Sequence, residues 1–172
     1  MRRIALAFAL TLAALGTSIP AIAEDSAPVF GEIAIIDDSN QTTTINNVVY
    51  AEKTGQGIAT VLGRFSGLFE FGPGTIGVDS QGDPIYQYDG FVTLTTADGS
   101  QLFLSFQDAV VVLTLDASGN HKTYFSTTVL GGTGRFANAS GELDFRGIVV
   151  PESGPMTFGP TYLEVDGSIS TD

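Results

Sequence analysis

The sequence contains no cysteine and no tryptophan, one histidine, and only seven basic residues among 172. Without cysteine there is no disulfide, no thiol nucleophile and no lipid-attachment cysteine. A lone histidine without cysteine argues against a transition-metal site and against a Ser-His-Asp triad, and no cofactor is expected. The 19 acidic residues give a formal net charge of −12. Because such a chain repels phosphate backbones, nucleic acid is not expected as a partner.

The first 23 residues have the organisation of a secretory signal peptide. Met1-Arg2-Arg3 is a positively charged start, residues 4–15 form an apolar run too short to span a membrane, and Ala21-Ile22-Ala23 is a small-x-small cleavage site. A chain beginning at Glu24 has five basic residues against 19 acidic ones, a net charge of −14. Export without disulfides is typical of a bacterial secreted or periplasmic protein, and this is the localisation that we expect.

Beyond Glu24, apolar residues recur at every second position, which indicates one all-β domain without helices. Residues 52–56 are interpreted as a linker, and Gly63 and Gly67 as bends within one long strand. The predicted strands are Val29–Asp37, Thr42–Tyr50, Gly57–Phe71, Ile85–Ala97, Ser100–Asp108, Ala109–Leu115, His121–Leu130, Gly141–Val150 and Pro160–Ser170. Eight or nine antiparallel strands fit a barrel or a sandwich, and a closed barrel of about eight strands is favoured because closure removes edge strands.

The predicted turns carry the expected residue types. Asp98-Gly99 supplies the positive φ angles of a tight hairpin, and a β-bulge is expected at Gln107-Asp108. The first predicted strand ends at an acidic turn, Asp37-Asp38. The last two predicted strands are separated by a loop over Pro151–Pro155. The loops at 79–83 and 116–120 offer oxygens to calcium, but neither has the bidentate glutamate of a strong calcium loop, and turn chemistry explains their composition. No metal site is therefore predicted.

The most distinctive stretch is the glycine corner, defined here as residues 131–141, with the sequence GGTGRFANASG. Four glycines at this spacing would weaken a regular strand, so they mark a sharp change of direction between two strands. A shorter Gly-Arg-Phe step stands upstream at Gly63-Arg64-Phe65. Arg64 and Arg135 are interpreted as anchors for corner carbonyls or acidic neighbours.

This corner resembles the GGTGRF-type signature of bacterial allene oxide cyclase-like proteins, relatives of plant allene oxide cyclases and dirigent proteins. The resemblance covers 54–172, with 24–53 left as N-terminal strands or a lead-in. Three further blocks agree in order: Gly55-Gln56-Gly57 running to Gly63-Arg64-Phe65, the hairpin over Tyr88–Gly99, and Gly167-Ser168-Ile169.

The resemblance implies an eight-stranded antiparallel barrel with a mostly apolar cavity, often assembled as a trimer. The plant cyclases cyclise an epoxide of fatty-acid origin, and the dirigent proteins steer radical coupling. Both depend on holding a flexible ligand in one conformation. The chain departs from both branches: it lacks the cysteine of the plant cyclases, and Ala139-Ser140-Gly141 stands where dirigent proteins carry an arginine. Neither activity is transferred directly.

The aromatic residues are the main candidates for a ligand site. Phe65, Phe69 and Phe71 share one face, while Glu70 lies on the opposite, surface face. A side-chain-filled core and a ligand cavity are both compatible with this pattern. His121 is interpreted as an exposed turn residue, although its phase with Thr123 and Phe125 also permits an inward position at a barrel mouth. The candidate ligand-binding residues are Phe65, Phe69, Phe71, Tyr86, Tyr88, Phe106, Asp108 and Phe125; catalytic residues are not identified.

These observations favour a secreted barrel that binds a small hydrophobic molecule, with isomerase or cyclase activity left open. The alternative is a non-catalytic structural or interaction barrel of the envelope or extracellular matrix. A membrane-spanning barrel shares the signal peptide and the alternation, but the absence of tryptophan, the Ser170-Thr171-Asp172 end and the charged alternation Glu142-x-Asp144-x-Arg146 argue against it. Stable membrane insertion is therefore not expected.

Overall fold

The computed structural model of the chain describes residues 26–36, 41–152 and 158–171. The predicted signal peptide and the Asp37-Asp38 turn lie outside the described residues, as does most of the loop predicted over 151–155. The described residues form ten strands and a single 3-10 turn, Gly134–Phe136. The strands are β1 (Ala27–Ile35), β2 (Thr42–Ile45), β3 (Val48–Ala59), β4 (Gly63–Phe71), β5 (Thr75–Val78), β6 (Pro84–Thr96), β7 (Gln101–Leu115), β8 (His121–Gly132), β9 (Ser140–Pro151) and β10 (Phe158–Ser170).

Eight of these strands close into an antiparallel barrel, which confirms the predicted fold. The order around the barrel is β1-β10-β9-β8-β7-β6-β4-β3, and β1 also pairs with β3 to complete the ring. In that closing pair Gly31 lies opposite Ala59 and Ile35 opposite Gly55. The segment 24–53 therefore contributes β1 as a full barrel strand, and the boundary at 53/54 falls inside β3.

Two short strands extend the barrel at one end. β2 pairs with the beginning of β3, and β5 pairs with the beginning of β6. The β2–β3 turn consists of Asn46 and Asn47, both with positive φ (52° and 66°). This is the two-residue hairpin geometry that asparagine tolerates. The prediction of one strand over 42–50 is therefore wrong, because this turn divides it.

The predicted linker at 52–56 and the single strand over 57–71 are also wrong. Residues 52–56 lie within β3, and β3 reverses into β4 through a turn at Thr60–Leu62. Val61 adopts a positive φ of 64° there, which is rare for a β-branched residue. Gly63, with a φ of 69°, closes the turn opposite Ala59, so the glycine interpreted as a bend within one strand is where the chain reverses.

The bulge predicted at Gln107-Asp108 is confirmed. Gly90 pairs with Phe106 and Tyr88 with Ala109, so β7 has one more residue than β6 across this step. Asp108 has a φ of 54°, and its N–H donates to the Asp89 carboxylate at 2.9 Å. The extra residue reverses the alternation of β7, and Ala109 and Val111 follow on the interior face.

One half of the barrel is packed with side chains. The 3-10 turn of the glycine corner folds Phe136 into this end, where its ring is fully buried. At Gly134, φ is +58° and a Cβ would crowd the Ser100 side chain, so this position favours glycine. The largest fully buried side chains of the described residues are Phe69, Phe136, Phe145, Leu62, Leu94, Leu102, Leu104, Leu143, Ile169, Val29, Val92 and Val111.

Candidate ligand cavity

The other half of the barrel holds a cavity of about 280 Å³. β3, β4, β6, β7, β8, β9 and β10 all contribute to its walls, together with the end of β1. The lining residues are Ile35, Ala51, Lys53, Phe71, Gly72, Tyr86, Tyr88, Val111, Thr123, Phe125, Val149, Phe158, Thr161 and Leu163. The walls are thus mostly apolar and aromatic with a few polar groups, as is typical of small-molecule sites, and the volume lies near the lower end of their range.

The aromatic rings of the cavity form one connected cluster. Tyr88 meets Phe71 and Phe106 edge to face, with ring centroids 5.5 and 5.9 Å apart. Phe106 contacts Phe125 at 4.9 Å, and Phe125 stacks on Phe145 at 4.9 Å. Because such contacts add to the area that the rings bury, they make a rigid floor between the cavity and the packed half.

The polar groups of the cavity belong to four strands. The Lys53 Nζ donates to the carbonyl oxygen of Phe158 at 2.6 Å, and the Gly74 N–H donates to the Tyr86 hydroxyl at 3.0 Å. An ammonium group has three N–H donors, and the bond to Phe158 uses one of them. The Tyr86 oxygen accepts the Gly74 bond, and that bond does not use its own O–H.

Tyr88 and Thr123 form the deepest polar contact of the cavity. The Thr123 Oγ1 donates to the Val110 carbonyl oxygen at 2.9 Å and lies near the Tyr88 hydroxyl. Burial raises the pKa of Tyr88 to about 12, and the neighbouring Thr123 hydroxyl offsets part of this rise. Tyr88 is therefore a neutral phenol near pH 7 and is not a general base there.

The structure brings half of the predicted ligand-binding residues together. Phe71, Tyr86, Tyr88 and Phe125 line the cavity. The other three aromatic candidates, Phe65, Phe69 and Phe106, are buried in the core of the barrel. Phe106 still supports the site, since its ring touches Phe71, Tyr88 and Phe125.

The prediction that Asp108 points into the cavity is wrong. The alternation of Leu102, Leu104 and Phe106 would place Asp108 on the inner face, but the bulge interrupts that alternation. Asp108 is exposed and borders a shallow outer pocket with Tyr124 and Arg146.

Lys53 and Phe158 are cavity-lining residues that the sequence pattern did not reveal. Lys53 fell in the segment interpreted as a linker, and Phe158 precedes the predicted start of the last strand. The alternation within β3 could have identified Lys53, because Ala51 and Lys53 face the cavity and Glu52 between them faces outward. This alternation is recognised only when β3 is taken to begin after the Asn46-Asn47 turn and to include residues 52–56.

His121 lies at the edge of the cavity mouth and is half-buried. Its Nδ1 is 3.0 Å from the Val112 carbonyl oxygen, and its ring meets Phe158 edge to face at 5.9 Å. Of the two positions considered for His121, the structure therefore supports the one at the barrel mouth and not that of an exposed turn residue. Within the described ranges, no group of three or more histidine and carboxylate side chains is placed to hold a metal ion.

The two arginines of the Gly-Arg-Phe steps differ in role. Arg135 donates from Nη2 to the Leu62 carbonyl oxygen at 3.0 Å, forms an ion pair with Asp98 at 3.5 Å, and stacks on Phe136. Its predicted anchoring role is confirmed. Arg64 is exposed on the outer wall, and among the described residues no ion pair is found for it.

The remaining polar residues singled out in the sequence are structural or external. The Asp79 carboxylate accepts N–H bonds from Gln81 and Asp83, and the Asp116 carboxylate accepts them from Ser118 and Asn120, which confirms their turn chemistry. Glu70 lies outside the cavity; partial burial, with a smaller effect of the Glu52 charge opposite, raises its pKa.

A larger groove of about 960 Å³ crosses the outer wall of β9, β10, β1 and β3. It is open to solvent, and its charged lining mixes Arg64, Lys122 and Arg146 with three carboxylates. The aromatic cavity inside the barrel, which is more enclosed than this groove, is therefore the stronger candidate site. Among the described residues, no helix has the length and apolar character needed to cross a membrane.

No protein-family model matches this chain, and no curated protein matches it either.

Proposed function

We propose that this barrel binds one small, mostly apolar, oxygen-bearing molecule and constrains its conformation, as an allene oxide cyclase-like protein. The observation that carries the proposal is the division of the lumen: side chains fill one half, while a cavity of about 280 Å³ with aromatic walls occupies the other. The closed eight-stranded antiparallel barrel and the glycine corner are what the family resemblance leads one to expect.

The polar groups indicate how a ligand would be oriented. Lys53 lies at the mouth, where one of its three N–H donors binds the Phe158 carbonyl oxygen, and Tyr86 offers an O–H from another strand of the wall. A carbonyl, epoxide or hydroxyl oxygen is an acceptor for both. The remainder of the molecule would lie against Phe71, Phe125 and Val111, where burial of apolar surface stabilises it.

The same groups favour isomerisation or cyclisation over hydrolysis. None of the described lining residues is a carboxylate or a histidine, and Tyr88 stays protonated near pH 7. The described lining thus supplies no carboxylate or imidazole as a general base, and His121 lies only at the edge of the mouth. Lys53 can stabilise negative charge that develops on a ligand oxygen. Shape would select the reactive conformer, and the barrel would control the product of a reaction that the ligand undergoes readily.

The test is native mass spectrometry of the chain, expressed from its complete gene, purified without detergent, and incubated with unsaturated fatty-acid epoxides or with phenolics. Retention of one molecule per chain is the expected result. For bound epoxides, chromatography of the products would show a stereoisomer ratio different from that of the spontaneous reaction.

A cavity-blocking variant makes the test specific. Ala51→Phe places a ring in the cavity mouth, and Ile58→Phe places the same ring on the outer face of the same strand. Binding should fall about tenfold or more in the first variant and remain in the second. If neither ligand class binds, or if both variants bind equally well, the proposal fails and the non-catalytic structural barrel is favoured.

A further inference from the structure

Six of the eleven large apolar side chains that the described residues expose lie at the cavity end of the barrel. There, several hairpin ends carry large apolar residues that point into solvent. Val49, Ile76 and Val78 are the most prominent, with exposed fractions of 57%, 66% and 68%. We name this set the mouth rim; it comprises Ile36, Val48, Val49, Ile76, Val78 and Leu115.

The two projecting hairpins aim part of the mouth rim across the cavity opening. Val49 has the phase of Ala51 and Lys53, which line the cavity. Ile76 lies opposite Tyr86 in the β5–β6 pair and shares its inward face. The apolar walls of the cavity therefore continue outward along both hairpins.

The opposite end of the barrel has a different character. Its turns expose Asp98, Arg135 and Asn138, and the corner's large apolar side chain, Phe136, is fully buried. The exposed apolar side chains nearest this end, Phe30 and Leu130, lie on strands and not on its turns. Apolar residues scattered singly on a surface need no explanation, but a group of them around a cavity opening is typical of an interaction site.

The charges at the mouth limit what can cover it. The described turns and strand ends of this end carry four carboxylates, those of Asp79, Asp83, Asp116 and Glu152. They carry two lysines, Lys53 and Lys122, so this end is net acidic. Contact between the rims of two copies would bring these carboxylates together, and an anionic lipid surface would be repelled in the same way. A lipid surface without net charge has neither disadvantage.

The edge of β5 limits the depth of contact. β5 pairs with β6 alone, so the backbone groups of its other edge lack a strand partner in the described sheet. Unpaired backbone groups are costly in the hydrocarbon core of a bilayer but not at the headgroup level. The mouth rim is therefore suited to shallow docking.

We infer that the mouth rim docks on a lipid surface of zwitterionic headgroups, with Val49, Ile76 and Val78 inserted at the interface. Docking would place the open half of the barrel against the lipid, so that an apolar ligand passes between lipid and cavity without crossing water. The ligand-exchange part rests on the proposed function, whereas the docking itself does not.

The experiment is flotation of the full chain, expressed from its complete gene, with phosphatidylcholine vesicles and with vesicles that also contain phosphatidylserine. The expected result is binding to the first kind and weaker binding to the second. The variant Val49→Ser/Ile76→Ser/Val78→Ser should bind phosphatidylcholine about tenfold or more weakly, since three exposed apolar side chains are removed from the contact.

The matched control is Phe30→Ser/Ile58→Ser/Leu130→Ser, because these residues lie outside the mouth rim with exposed fractions of 57–58%. Unchanged flotation of this variant supports the inference. Absence of wild-type flotation, or equal losses in the two triple variants, overturns it. The inference is also overturned if the mouth-rim triple variant floats like the wild type but has a smaller oligomeric mass in sedimentation. That result would indicate that the mouth rim contacts a second copy of the chain.

One further variant separates this inference from the proposed function. Ala51→Phe blocks the cavity but leaves all six mouth-rim side chains in place. Flotation by this variant supports docking even where ligand binding is lost. Loss of its flotation while Ile58→Phe still floats would show that the cavity, and not the mouth rim, makes the lipid contact, and would overturn the inference.

Discussion

Lys53 donates a 2.6 Å hydrogen bond to the backbone carbonyl oxygen of Phe158, and this bond bridges the end of β1. β1 lies between β3 and β10, and its last residue, Ile35, pairs with Gly55 on one side and with Thr161 on the other. Beyond Ile35, β3 and β10 have no strand between them in the described sheet. The lysine therefore connects the two strands at the cavity mouth.

Replacing Lys53 by methionine keeps the apolar stem and removes the donors. We expect the free energy of unfolding to fall by about 1–2 kcal/mol, since a charged donor is lost from a half-buried contact. Urea unfolding measures the change. Lys122→Met is the matched control, because Lys122 is exposed on the outer wall; its effect should stay within about 0.5 kcal/mol. Equal losses in the two variants would show that the Lys53 bridge has no particular role.

Phe136 closes the packed end of the barrel. Its ring is fully buried, and the Arg135 guanidinium lies 4.6 Å from the ring centroid. Phe136→Ala should lower the free energy of unfolding by about 3–5 kcal/mol, the usual cost of removing a buried phenylalanine. Phe30→Ala removes the same atoms from an exposed site and should cost much less. Denaturant unfolding of both variants tests this, and a small loss for Phe136→Ala would mean that the glycine corner is not part of the cooperative core.

Tyr88 should be the last tyrosine observed to ionise. Its pKa is raised to about 12 by burial, while an exposed tyrosine titrates near pH 10. Because the unfolded chain releases this proton first, the stability that the neutral phenol contributes is complete below about pH 10 and is lost as the pH rises towards 12. Ultraviolet titration of tyrosinate should show a late step that Tyr88→Phe removes and Tyr124→Phe, on the outer wall, leaves. Persistence of that step in Tyr88→Phe would assign it elsewhere.

Asp98 should make the packed end sensitive to acid. Hydrogen bonds from the Thr96 hydroxyl and the Ser100 N–H, with a smaller effect of Arg135, lower the pKa of Asp98 to about 2. The unfolded carboxyl has a pKa of about 3.9, so the contribution is complete above about pH 4 and is lost as the pH falls towards 2.

The variant Asp98→Asn keeps an acceptor oxygen but cannot titrate. Its unfolding midpoint should be lower than that of the wild type near pH 6, and the difference should shrink between about pH 4 and pH 2. A difference that stays constant over this range would contradict the role given to the charge. Asp79→Asn, in a turn at the opposite end, is the comparison variant.

Several features of the fold were readable from alternation and turn chemistry. Asp98-Gly99 identified the β6–β7 hairpin, and the glycines of the corner identified the reversal before β9. The bulge at Gln107-Asp108 was also predicted, but its effect on the phase of β7 was not carried through. For that reason Asp108 was placed inside the barrel when the structure has it outside.

The site was predicted less completely than the fold. Aromatic phase found Phe71, Tyr86, Tyr88 and Phe125, because alternation alone decides which side of a strand a residue occupies. It did not separate these residues from Phe65 and Phe69, which have the same phase but lie in the packed half. Depth along the barrel axis depends on strand register, which the residues of a single strand do not encode.

The sequence by itself determined an all-β chain, the inward faces of most strands, and the turns at which glycine, asparagine and aspartate accept positive φ. These are local properties, set by the two-residue period of a strand and by backbone sterics. Only the tertiary structure decided that β1 closes the ring, that Lys53 reaches Phe158, and that one half of the lumen stays open. Those features arise from the registers of strands distant in sequence, and no local pattern specifies such pairings.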